Sequence, residues 1–411
     1  MTDAPVHAPN LFFPVIDGCL HIGGMPLGQL AEQVGSTPFY AYDRTVMTGR
    51  VKELRRHLPR SIDLHYAIKA NPMPAVVQHM AGLTDGLDVA SARELRTALD
   101  TGMDPERISF AGPGKKPEEL KCAIAAGVIV NLESFTELDR TGEVGTALGI
   151  RPRVAVRVNP DFELKTSGMK MSGGPKPFGV DAEQVPEMLH RIAQMDVAFY
   201  GFHIFSGSQN LRAEAIMEAQ AQTAELAIRL AEHAPAPIRI LNIGGGLGIP
   251  YFPGDRRLNV APIGEHLHTM AERLGTVMPQ VQLVLELGRY LVGEAGIYVC
   301  RVLDRKISRG RVFLVTDGGL HHHLAASGNF GQVIRKNYPV GLAQTSGQRE
   351  LEEVSVVGPL CTPLDILADR TYLPQPTIGD LVVVFQSGAY GYSASPLRFL
   401  SHPDPVQLVV G

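Results

Sequence analysis

The chain has only four cysteines, Cys19, Cys122, Cys300 and Cys361, and no two of them form a CxxC pair. That excludes a zinc ribbon or a disulfide framework as its organising feature, and a reduced, cytoplasmic setting is expected. No block of lysine and arginine occurs. Net charge −4 and a pI near 6.4 leave no electrostatic footprint for nucleic acid or for an anionic membrane. No apolar run reaches the roughly 18 residues that span a bilayer. Met1-Thr2-Asp3-Ala4-Pro5 lacks the basic and apolar regions of a signal peptide. What is present is a composition of 45% hydrophobic and 19% charged residues, that of a globular protein. At 411 residues the chain is too long for one ordinary core, so two domains are expected.

From residue 62 short apolar runs alternate with helical patterns. Strands are expected at Asp63–Ile68, Gly86–Val89, Ile108–Ala111, Val128–Leu132, Arg153–Val158, Val197–Phe205, Arg239–Ile243 and Gln282–Leu285. Segments such as Ser91–Asp100 and Ala213–Glu232 carry apolar residues at helical spacing. Eight strands with intervening helices are the count of a (β/α)8 barrel, although a doubly wound open sheet gives a similar pattern. After about residue 290, strand-like runs follow one another with few helices (Gly296–Leu303, Arg311–Thr316, Glu353–Val357, Asp380–Phe385, Val406–Val409), which reads as an all-β domain. The N-terminal strands near Phe12–Ile16 and Phe39–Tyr42 are expected to join it. Pro160–Gly179, rich in Gly, Lys and Ser without periodicity, is expected to be a lid or binding loop.

Five stretches carry chemistry. In Leu64-His65-Tyr66-Ala67-Ile68-Lys69-Ala70-Asn71-Pro72, strand formers end in one lysine before Asn-Pro stops the strand. Burial lowers an amine pKa and frees its lone pair for a carbonyl, although a lone strand-end lysine more often snorkels to water. Gly244-Gly245-Gly246 follows an expected strand and can bring consecutive N–H groups to a phosphate, although a plain turn is the commoner meaning of such a cluster. Glu286-Leu287-Gly288-Arg289 ends the next strand and, seen alone, could be an ion pair. Gly358-Pro359-Leu360-Cys361-Thr362-Pro363 sets a cysteine on a turn, where a surface or cleft position is expected. Gln386-Ser387-Gly388-Ala389-Tyr390 offers a hydroxyl after another strand, or a core tyrosine.

Together with Asp88-Val89-Ala90-Ser91 and with Gly201-Phe202-His203 through Gly207-Ser208-Gln209, these motifs resemble the fold-type-III decarboxylases that use pyridoxal phosphate (PLP). Diaminopimelate, ornithine and arginine decarboxylases belong to that family. The resemblance runs from Thr37-Pro38-Phe39-Tyr40 to Gly388-Ala389-Tyr390. It implies an alanine-racemase-like TIM barrel over residues 44–290, and a β-domain made of 291–411 and completed by 1–43. It implies further that Lys69 holds PLP as a Schiff base. Gly244, Gly245, Gly246, Ser208, Arg289 and Tyr390 then meet the phosphate, and Asp88 and Gly288 line the cofactor. Glu286 bonds the protonated ring nitrogen and keeps the ring a strong electron sink. Racemases of the same barrel class put an arginine there, so Glu286 argues for decarboxylation. Cys361 matches the residue that returns a proton to the α-carbon, reaching the site from a neighbouring subunit, so a homodimer with shared active sites is implied.

The sequence departs from the family in three places. Phe205 stands where relatives carry a histidine stacked on the cofactor. An aromatic face can replace it, and His203 alternates onto the same strand face. Thr362 follows Cys361 where diamino-acid decarboxylases place an acid for the distal ammonium, and Asp365 is out of register for that contact. The arginine-proline segment that reads a distal carboxylate is replaced by Asp317-Gly318-Gly319-Leu320-His321-His322-His323. Those histidines are expected in a solvated loop or lining a cleft, where His321 and His322 could recognise a polar or anionic tail; no metal is expected. The ending Gly391-Tyr392-Ser393-Ala394-Ser395-Pro396 resembles the exosortase-associated subgroup and decarboxylases of carrier-tethered amino acids. An L-amino-acid α-decarboxylase is therefore expected, with diaminopimelate decarboxylase as the alternative. A non-catalytic regulator on this fold would be expected to have lost Lys69 or Cys361, and a PLP carrier would lack the β-domain.

Overall fold

The computed structural model describes residues 5–162, 169–170, 174–345 and 349–411. They form two compact units. One comprises Arg50–Gly248 and Leu258–Gly288; the other comprises Met1–Gly49, Ile249–Arg257 and Arg289–Gly411. Ile249–Arg257, inside the sequence range expected for the barrel, groups with the second unit. No helix among the described residues is long and apolar enough to cross a membrane.

The first unit is a closed barrel of eight parallel strands: Ile62–Ala67, Gly86–Val89, Ile108–Phe110, Ile129–Leu132, Arg153–Asn159, Ala198–Ile204, Ile240–Asn242 and Gln282–Leu287. Each pairs with the next, and the eighth returns to the first with Leu285 opposite Leu64 and Glu286 opposite His65. That closure decides between a barrel and an open sheet. The strands read as apolar runs because barrel strands are buried on both faces. Leu64, Tyr66, Leu87, Val130 and Leu285 have no exposed surface, each contributing about 1.5–3 kcal/mol of transfer free energy, as an upper bound.

Local chemistry sets the helix starts. Ser91 accepts from Glu94 N at 3.2 Å while Glu94 Oε2 accepts from Ala90 N at 2.7 Å, opening the helix Ala92–Asp100. Ser134 does the same for Phe135–Leu148. After the first strand the chain makes one 3₁₀ turn, Ile68–Ala70, before Pro74 begins the next helix. Residues 163–168 and 171–173 of the expected binding loop lie outside the described residues. The backbone of Met169–Lys170 pairs antiparallel with Gly207–Ser208.

The second unit is built on an eight-stranded sheet. Its long strand Gly296–Ser308 pairs first with Leu381–Val384 and Phe39–Asp43, then with Arg311–Thr316. Phe39–Asp43 is buried throughout and also pairs in parallel with Val406–Val410, so the N-terminal segment completes the C-terminal domain as expected. The segment near Phe12–Ile16 joins this unit as expected, with Phe13, Leu20 and Ile22 packed in its core, though not through the main sheet. Val15–Ile16 forms a separate three-stranded sheet with Cys19–Ile22 and Met25–Pro26. Left-handed turns at Asp17-Gly18 and Gly23-Gly24 fold that segment back on itself. Ile366–Pro374, not anticipated from the sequence, is the edge strand beside Leu351–Val357.

Candidate active site

At the C-terminal ends of the barrel strands, Lys69 and Glu286 meet. Lys69 Nζ lies 2.9 Å from Glu286 Oε1; the lysine side chain is 46% exposed and the glutamate 3%. An amine that can reach solvent, held at a buried carboxylate, is placed to receive a ligand from outside the barrel. Burial alone would push the Glu286 carboxyl up, but Lys69 and His203 together hold it well below the usual carboxylate range. The Phe205 ring centroid is 5.6 Å from Lys69 Nζ, and the ring is half-buried. A flat aromatic wall thus stands beside the amine.

The glycine turn sits against the same carboxylate. Gly244 and Gly246 have φ of 68° and 80°, a region that non-glycine residues rarely adopt. A Cβ on Gly245 would fall 2.0 Å from the carbonyl oxygen of Glu286. Backbone Glu286 N donates to Gly244 O at 2.8 Å. Gly288 is needed for closeness too, since its Cβ would fall 2.8 Å from Ala70 Cβ, next to Lys69. Ser208 follows on the strand pair that borders the turn.

Two residues of this neighbourhood escaped the sequence reading. Asn242 Oδ1 accepts from Gly244 N at 2.8 Å, and its Nδ2 lies 3.5 Å from Glu286 Oε2, so it joins the glycine turn to the carboxylate. Its only signal was its place two residues before the first glycine. His65 Nδ1 lies 3.4 Å from Asp88 Oδ2, and Ser109 Oγ donates to Asp88 Oδ1. Burial pushes the His65 imidazole down, but Asp88, Asp63 and Glu286 outweigh it and raise the pKa. The Asp88 carboxylate is therefore engaged by Ser109 and His65.

In the second unit, Arg289 stands with its guanidinium 4.6 Å from the Tyr390 ring centroid and 5.4 Å from that of Tyr251, whose hydroxyl accepts from Nη1 at 3.1 Å. Its Nε has no partner, and among the described residues it pairs with no carboxylate. A cation held by tyrosines without an anion suits a phosphate. Tyr390 itself adopts φ 54° and stacks on Phe330 at 6.5 Å.

Cys361 is a free, exposed thiol on a turn. That turn is ordered by Asp365, whose Oδ1 accepts from Leu320 N at 2.6 Å and Oδ2 from Leu360 N at 2.8 Å. Asp365 is buried, so its carboxylate is spent on the backbone and is withdrawn as a substrate contact. The solvated-loop expectation for the histidines is also corrected, because His321, His322 and His323 are all buried. His322 Nε2 donates to Pro403 O at 2.9 Å, and His323 Nε2 donates to Ser387 Oγ at 2.9 Å. Among the described residues neither ring nitrogen of His321 has a hydrogen-bond partner, and the ring packs on His322 with centroids 3.7 Å apart. Local sequence could not show this, since the covering groups come from remote segments. Among the described residues no group of three or more His, Cys, Asp or Glu is arranged to hold a metal ion.

An accessible amine on an ionised buried carboxylate, an aromatic wall and a glycine turn fit a phosphorylated pyridine aldehyde. Barrel and donor set define the class: a PLP enzyme on an alanine-racemase-like barrel with an added β-domain. Residues 45–293 match the pyridoxal-binding domain of the pyridoxal-dependent decarboxylases, and the chain belongs to that family and is a PLP-dependent carboxy-lyase. It is 38% identical over 379 residues to L-glutamyl-[BtrI acyl-carrier protein] decarboxylase of Niallia circulans, covering 91% of this chain and 88% of that protein. It is 31% identical over 389 residues to diaminopimelate decarboxylase of Aquifex aeolicus, covering 94% and 89%. The structure of diaminopimelate decarboxylase from M. jannaschii in complex with L-lysine superposes with a TM-score of 0.86 at 26% identity, covering 97% and 93%.

Proposed function

We propose that this enzyme removes the α-carboxylate of an L-amino acid carried as a derivative, tethered to a carrier protein, rather than that of a free diamino acid. The observation that carries the reading is the Cys361 turn. Thr362 follows the cysteine, and Asp365, the only acid of that turn, has both oxygens on backbone N–H groups. A distal ammonium brought there would find no free carboxylate on the turn to pair with. The likeness to a decarboxylase named for an L-glutamyl carrier protein supports the same reading.

Bound PLP supplies the electron sink that makes loss of carbon dioxide feasible. The chain's residues do the rest. Lys69 would be the amine that holds the cofactor. Glu286 would keep a proton on the ring nitrogen, and Arg289, Tyr390, Ser208 and the Gly244–Gly246 amides would hold the phosphate. Phe205 would stand against the ring. Cys361 delivers a proton to the α-carbon, donated from the second subunit of a homodimer. Lys69→Ala should abolish the visible absorbance of cofactor-loaded protein, and an unchanged band would remove Lys69 from this role. In verified heterodimers, Lys69→Ala mixed with Cys361→Ala should recover part of the activity; no recovery would count against a shared site.

The deciding assay is carbon dioxide release with meso-diaminopimelate beside an L-glutamyl carrier protein. Turnover of the tethered substrate alone is expected. Robust turnover of meso-diaminopimelate would establish instead the second reading, diaminopimelate decarboxylase, which 31% identity over 94% of the chain favours.

A further inference from the structure

The rear of the Glu286 carboxylate is held by groups that no role above explains. Oε1 faces Lys69 Nζ at 2.9 Å. Oε2 faces His203 Nε2 at 3.2 Å and Asn242 Nδ2 at 3.5 Å. His203 is 3% exposed, and neither ring nitrogen reaches good hydrogen-bond geometry with any described group. Among the described residues its Nε2 makes an ion-pair contact with that oxygen. A buried imidazole is costly to keep without a partner, so its place behind the carboxylate calls for a reason.

We propose that His203, assisted by Asn242, is a positioning residue for Glu286. It holds Oε2 through Nε2–H, so that the carboxylate stays ionised and Oε1 stays aimed when Lys69 is taken up in carrying the cofactor. The inference rests on the roles given to Lys69 and Glu286 above. In the structure, the lysine ammonium is the largest influence keeping Glu286 ionised against its burial. Once that amine is committed elsewhere, a buried carboxylate must find another donor or take up a proton. A protonated Glu286 could no longer keep a proton on a ring nitrogen. The donors on Oε2 answer that need without competing for Oε1. Asn242 adds register, because the same amide fixes Gly244 N and so ties the carboxylate to the phosphate-binding turn. His203 thus acts behind Glu286, not on the cofactor face where Phe205 stands.

The test compares wild type, His203→Leu and His203→Gln. Leucine fills similar volume without a donor; glutamine restores an N–H. Cofactor affinity and the pH dependence of the bound-cofactor absorbance are read for each, with thermal melting as the folding control. The leucine variant should bind PLP about tenfold more weakly, and the pH midpoint of its absorbance change should move by roughly one unit. Glutamine should recover most of both. In cofactor-free protein with labelled histidine, Glu286→Gln should shift the nitrogen resonances of His203. A folded leucine variant with wild-type affinity and pH profile overturns the proposal, and so does a glutamine variant no better than leucine. If leucine prevents folding, His203→Asn, too short to reach Oε2, takes its place in the comparison. A Glu286→Gln variant that binds PLP with wild-type affinity and pH profile would instead overturn the reading of Glu286 beneath it.

Discussion

Lowering the pH from 7 to 5 should destabilise the β unit through the histidines it buries uncharged. Burial, with the like charges of His322 and His402, pushes the His321 imidazole down to about 3. Burial pushes His322 down to about 4 and His323 to about 3. In the unfolded chain each titrates near ~6.5. Below that pH the unfolded state takes up protons that the folded state refuses until about pH 3–4, so the stability present above ~6.5 is lost as pH falls. For His321 alone the loss between pH 7 and 5 comes to about 2 kcal/mol, roughly a 25-fold fall in the folded-to-unfolded ratio. His321→Phe isolates it. Neither ring nitrogen of His321 has a partner among the described residues, so phenylalanine sacrifices no hydrogen bond seen there and keeps the packing on His322 and His402. Asp317 and Asp365, whose carboxyls burial raises, act in the opposite sense, so the two proteins must be compared with each other. In urea unfolding at pH 7 and pH 5, wild type should lose about 2 kcal/mol more than the variant. Equal losses would refute the reasoning.

Arg289→Met should leave the fold intact and weaken PLP binding by about tenfold or more while sparing phosphate-free pyridoxal; parallel losses for both ligands would show that Arg289 does not meet the phosphate. Gly245→Ala puts a methyl 2.0 Å from a backbone oxygen, so a lower melting temperature and weaker cofactor binding are expected, and a neutral result would mean that the turn is free to shift. Lys115→Met should cost about 3–5 kcal/mol. Lys115 is buried and bonds Glu137 at 3.0 Å and the carbonyls of Gly112 and Asn131. Adding Glu137→Gln should recover part of the loss, measured by denaturant unfolding.

The barrel strands were legible because a strand buried on both faces must be an unbroken apolar run, and the helices between them repeat at helical spacing. Lys69, the glycine turn and Glu286 could be located for a related reason: each ends such a run, and strand ends in a barrel face one mouth. Chain composition alone also set the absence of a long apolar span. Other features were decided only by folding. Closure of the barrel rests on hydrogen bonds between Ile62–Ala67 and Gln282–Leu287, which lie far apart in the chain. The burial of His321–His323 depends on Tyr40, Tyr298, Ser387 and Pro403, brought in from four remote segments. Asp365 reads as a charge near the cysteine, but the backbone N–H groups of Leu320 and Leu360 claim it. His203 is expected near the cofactor from its strand face, but its 3.2 Å contact from Nε2 to Glu286 Oε2 appears only in the folded chain. Sequence pattern reports which face of an element is apolar. Which polar group finds which partner is settled by contacts between distant segments, and local pattern carries no record of them.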